Sequence, residues 1–139
     1  MTWLARREYS RHEVYEKLQS KGCSEAIAQA VADGLVAEGY LSDERFVESL
    51  VRVRRGRGYG PLRIRLELQE KGIAAEVIEA AIDARNRDWL TELKRVRRKK
   101  FGNSLPATYA ERARQARFLQ SRGFSTDQIF EVLKARDDD

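Results

Sequence analysis

The residues most able to do chemistry in this chain are cations set close together. Arg52, Arg54, Arg55 and Arg57 form one cluster, and Lys94, Arg95, Arg97, Arg98, Lys99 and Lys100 form a second. A guanidinium is a planar fork that grips carboxylate or phosphate with two parallel hydrogen bonds, so such clusters suit an acidic protein surface or a polyanion. We expect Arg52, Arg54, Arg55, Arg57, Arg63, Arg65, Lys99, Lys100 and Arg122 to make up much of one positive, partner- or nucleic-acid-binding face. Two local arrangements compete with that role. Arg63 can pair with Glu67 four residues on, and Lys99 and Lys100 close a helix whose dipole favours positive charge at that end.

Charge is concentrated as well as clustered. The chain of 139 residues carries a net charge of +5, yet residues 1–50 sum to −3, residues 51–100 to +8 and residues 101–139 to zero. A field of that kind draws an anionic partner toward one region.

Other chemistry is scarce. There is one histidine, His12, and one cysteine, Cys23, too few for a Cys/His zinc site. No glycine-rich phosphate loop and no nucleophile–base pair is recognisable, so we expect no enzyme activity, no cofactor and no metal. A lone cysteine cannot form an internal disulfide, which fits a reducing compartment. With no apolar run long enough for a bilayer and no leader-like start, the expectation is a soluble, cytoplasmic monomer without membrane contact.

The elements that must carry these cations repeat. Leu18-Gln19-Ser20-Lys21-Gly22-Cys23 returns as Leu68-Gln69-Glu70-Lys71-Gly72-Ile73 and as Leu119-Gln120-Ser121-Arg122-Gly123-Phe124. In each copy a helix ends on a basic residue, a glycine takes the left-handed cap position, and an apolar residue folds back on the helix just left. Cys23, aligned with Ile73 and Phe124, reads as a small core residue. Downstream, the pairs Ile27 and Val31, Ile78 and Ile82, and Ile129 and Leu133 are the expected buried stripes of the following helices. Upstream, Tyr9, Tyr59 and Tyr109 occupy matching places, which implies a shared packing role over base stacking by Tyr59. Trp3 and Trp89 are expected to pack in the core or between repeats.

Helix starts follow the same division. Ser10 with Glu13, Thr108 with Glu111 and Ser125 with Gln128 read as capping boxes, and Gly60-Pro61 places a proline in a first turn. Leu62–Leu68 alternates like a strand, but its counterparts in the other copies do not, so it is assigned to a helix. Ser42–Arg55 and Arg87–Lys100 each add a leading helix, while only Thr2–Glu8 is left for one in the first copy. Gly39-Tyr40-Leu41 reads as a helix cap followed by apolar residues that fasten one repeat to the next. The expected fold is all-α: three tandem three-helix repeats at residues 1–41, 42–85 and 86–139, in an elongated array with a disordered acidic end at Asp137–Asp139.

Gly39-Tyr40-Leu41-Ser42-Asp43-Glu44-Arg45-Phe46, Gly58-Tyr59-Gly60-Pro61 with Arg63-Ile64, Leu68 with Lys71-Gly72-Ile73, and Arg122-Gly123-Phe124-Ser125 together resemble the RecX family, in the family's order and over nearly the whole chain. The resemblance implies tandem three-helix units and a regulator of the RecA recombinase. Such regulators bind within the groove of the RecA–DNA filament and suppress ATP hydrolysis, strand exchange and co-protease activity. Two departures are the short N-terminus and Ser42 where the family often has aspartate. The residues themselves leave a second reading open, a direct and mostly nonspecific binder of single- or double-stranded DNA. Sequence-specific reading is disfavoured, because Ser24-Glu25, Ala74-Ala75-Glu76 and Ser125-Thr126-Asp127 at the second-helix starts are small or acidic.

Overall fold

The computed structural model describes Leu4, residues 7–83 and residues 86–134. The expectations for Trp3, for most of Thr2–Glu8 and for Asp137–Asp139 lie outside them. Eight helices and no strand occur among the described residues: α1 Arg11–Ser20, α2 Glu25–Ala37, α3 Asp43–Gly56, α4 Pro61–Glu70, α5 Ala75–Ala81, α6 Asp88–Phe101, α7 Tyr109–Ser121 and α8 Thr126–Leu133. Leu62–Leu68 is helical, as the repeat requires.

Hydroxyls start most of these helices. Ser10 and Ser125 form reciprocal capping boxes with Glu13 and Gln128. Ser24, Ser42 and Thr108 each accept from the backbone N–H three residues on. The expected third box is half-formed, because the Glu111 carboxylate turns outward to Arg114 at 2.6 Å. The helix ends repeat too. Cys23, Ile73 and Phe124 donate their N–H groups to Leu18, Leu68 and Leu119, six-residue closures made across glycines at φ 99°, 76° and 101°.

The chain forms two compact units. The first takes the chain up to Arg52 together with Leu66–Ala81, and the second takes Val53–Arg65 together with the chain from Ile82 on. Within the first unit, Val14, Ala32 and Leu41 make a core on which Leu4, Tyr9, Leu18 and Leu35 pack. Leu41 is buried in that core among residues of its own repeat, so no fastening to the next repeat is seen there, while Tyr40 is exposed. Within the second unit, Ile64, Ile82, Leu93, Leu119, Phe124, Ile129 and Leu133 are buried, and Trp89 joins them.

Each unit contains the same joint. In the first, Ser10 Oγ donates to Lys71 O at 2.9 Å, Lys71 Nζ meets Glu13 at 3.1 Å, and Gly72 lies so close to His12 that a Cβ would sit 2.6 Å from the His12 Cβ. In the second, Gly60 N donates to Arg122 O at 2.7 Å and Leu62 N to Gly123 O at 2.9 Å, and a Cβ on Gly123 would sit 2.5 Å from the Arg63 Cβ. The glycine turn of one repeat is thus pressed on the helix start of the repeat before it.

Three packing expectations fail. Ile27 is 55% exposed and Val31 only half-buried, and Ala28 and Ala32 fill their expected places in the core of the first repeat. The repeat offset explains the error: counting from Leu18 to Leu68 and Leu119, the counterparts of Ile78 and Ile129 are at Ala28 and not Ile27. Cys23 is only half-buried. The three tyrosines do not share a packing role, since Tyr109 is 84% exposed while Tyr9 packs against the first core.

Candidate functional site

α6 is amphipathic. Trp89, Leu90, Leu93 and Val96 face inward, so its clustered cations are mostly left outside. Arg97 is the exception, with only 3% of its surface exposed. It donates to the carbonyls of Asn103 and Ser104 and to Gln115 Oε1, tying the segment after α6 to α7. Burial, with a smaller contribution from the neighbouring Arg98 charge, holds its pKa below the usual arginine value.

At the ends of α3 and α6 the second unit opens into a cavity of about 290 Å³. Arg57, Arg95, Lys99, Lys100 and Arg122 line it, with Phe118 and Val96 as its apolar wall, and no carboxylate among the described residues lines it. The glycine turn places Arg57: α3 ends at Gly56, and Gly58 at φ 88° lets Tyr59 N bond back to Arg54 O at 3.0 Å. Arg95 is held by Glu92 at 3.2 Å and by the Arg55 carbonyl at 3.1 Å. Arg122 lies 5.1 Å from the Tyr59 ring and 5.2 Å from the Phe118 ring. Lys100 lies 5.2 Å from the Phe118 ring.

Four of the nine residues expected from the sequence are therefore together: Arg57, Lys99, Lys100 and Arg122. Arg63 stands nearby, its guanidinium 4.2 Å over Tyr59 and donating to Ser121 O at 3.1 Å. The others are not in the cavity. Arg52 is exposed and belongs to the first unit. Arg54 is half-buried and engaged within the chain. Arg55 lies 5.0 Å over Trp89 and 3.8 Å from Glu92, and Arg65 donates to Ile82 O at 3.1 Å. Their positions on helices, each turning 100° per residue, spread the first cluster around α3 instead of presenting it on one side. Two guanidinium groups, those of Arg63 and Arg122, lie against the Tyr59 ring. The sequence reading left Arg95 and Phe118 out of the site. Arg95 was visible in the second cluster, whereas Phe118 gave no signal of its own.

No group of three or more His, Cys, Asp or Glu able to hold a metal occurs among the described residues. His12 contacts Glu16 at 3.2 Å on the surface of α1. No helix among the described residues is long and apolar enough to cross a membrane.

Helical repeats with a cationic cavity beside aromatic rings define a class of all-α repeat protein. Family profiles narrow the class. The first, second and third three-helix domains of RecX match residues 1–35, 42–82 and 88–133. The regulatory protein RecX of Halorhodospira halophila is 42% identical over 136 residues, 98% of this chain and 84% of that protein. That of Pseudomonas savastanoi pv. phaseolicola is 42% identical over 139 residues, 100% of this chain and 90% of that protein. The crystal structure of RecX from Lactobacillus salivarius superposes with a TM-score of 0.80 at 22% identity, over 98% of this chain and 90% of that one. The chain belongs to the RecX family.

Proposed function

We propose that the chain is a non-enzymatic regulator of the RecA recombinase, acting in the cytoplasm as a monomer. It would lodge in the groove of the RecA–DNA filament and lower ATP hydrolysis, strand exchange and co-protease activity. The observation that carries this reading is the cavity of five cations without a lining carboxylate in a RecX-family chain. An acidic recombinase surface or a backbone phosphate supplies the missing negative charge, and long-range attraction speeds the encounter. Inhibition then needs no chemical step. A protein that binds one filament geometry better than another shifts the population toward it, by no more than the difference in affinity.

Recombinase ATPase on single-stranded DNA, measured against added protein, tests the reading. The expected result is loss of hydrolysis; undiminished hydrolysis at saturating protein contradicts it.

The same cations support a second reading, direct nonspecific binding of nucleic acid. An electrophoretic titration without recombinase separates the two. Tight binding of DNA alone, weakening steeply as salt rises, favours the second.

A further inference from the structure

The cavity at the ends of α3 and α6 has an unbalanced lining. Of its five cations only Arg95 has a carboxylate partner among the described residues, Glu92 at 3.2 Å. Lys100 and Arg122 rest on aromatic rings, and Arg57 and Lys99 have no side-chain partner among the described residues. The four come from three segments of the second unit: the turn after α3, the end of α6 and the turn after α7. Like charges brought together by folding repel, so an anion that enters among them stabilises the unit.

Space and lining set the kind of anion. The volume of about 290 Å³ is nearly ten times the roughly 30 Å³ that a water molecule takes in the liquid. A halide ion or a single phosphate would leave most of it to water. The other lining residues, Gly56, Gly58, Val96 and Phe118, bring no side chain that could hydrogen-bond a base or a sugar. The lining therefore selects by charge density. A nucleic-acid backbone separates its phosphates by sugars, whereas directly linked phosphates put several charges into the same space.

We propose that this cavity is a binding site for a short polyphosphate chain, either inorganic or the triphosphate of a nucleotide. Arg57 and Lys99 make its main contacts, because neither gives up a partner within the protein. The Arg57 fork takes two oxygens of one phosphate, and Lys99 acts as a point charge. The site goes beyond the recombinase reading and does not require it. Where that reading holds as well, the polyphosphate competes with the filament for the same cations.

Calorimetric titration of the full chain with sodium tripolyphosphate, at constant ionic strength and without magnesium, tests the site. Arg57→Gln with Lys99→Gln removes two exposed lining cations. Lys94→Gln with Arg98→Gln makes the same change of net charge at exposed positions of α6 outside the lining. The wild type is expected to bind, the first variant to bind about tenfold or more weakly, and the second to match the wild type. Equal weakening in both variants overturns the site and leaves an adventitious ion only. Absence of binding by the wild type also overturns it, and neither result touches the recombinase reading. A parallel titration with ATP names the source: binding no tighter than tripolyphosphate gives the inorganic chain, and tighter binding gives the nucleotide.

Discussion

Arg97 and Glu13 show how single charged groups are used away from the cavity. Arg97 is buried with carbonyl and amide partners and no carboxylate among the described residues. Arg97→Met should cost about 2–3 kcal/mol in urea unfolding, the scale of hydrogen bonds to a buried charged group. Burial works to raise the Glu13 carboxyl, but hydrogen bonds from Arg7, the Ser10 N–H and Lys71 outweigh it and hold the pKa below the ordinary 4.5. A depressed folded-state value means that this stabilisation is complete above the unfolded value and is lost as pH falls through the folded one. The urea midpoints of wild type and Glu13→Gln should therefore differ by a constant amount at neutral pH and converge below pH 4.5. At this scale the sequence was only partly legible. It announced the cations by clustering, but which ones converge depends on helical phase and on Glu92, whose contact with the remote Arg55 has no trace in residue order.

Among the elements, the glycine turns separate conformation from packing. Gly22 has φ +99° and open space around its missing Cβ, so alanine there meets only the backbone penalty of about 1–2 kcal/mol. Gly72 at φ +76° and Gly123 at φ +101° carry that penalty and also press on His12 and Arg63. Thermal unfolding should therefore rank Gly22→Ala well above Gly72→Ala and Gly123→Ala; equal losses in all three would remove the close joint from the account. Helix positions were the most legible feature, because serine and threonine caps and glycine ends act locally. The repeat correctly outvoted the strand-like alternation of Leu62–Leu68. At Ile27 hydrophobicity and the repeat offset disagree, and the offset, which points to Ala28, matches the buried residue. The joints themselves were not legible, since nothing local marks which helix start a glycine turn will meet.

For the whole molecule, the fold does two things with one repeated plan. It holds a cationic cavity at the ends of α3 and α6, and it leaves an open cleft between α7 and α8. Family membership follows from motifs spread over all three repeats, which is why the fold class was readable from sequence while the cavity was not. The most direct test of the central claim is recombinase ATPase titrated with wild type and with Arg57→Glu, Lys99→Gln, both checked for equal helicity. Arg57 and Lys99 line the cavity and have no side-chain partner among the described residues, so the change removes cationic grip with little loss of internal contact. The account predicts inhibition by the wild type and a rise of about tenfold or more in the concentration the variant needs. Superimposable inhibition curves would contradict it.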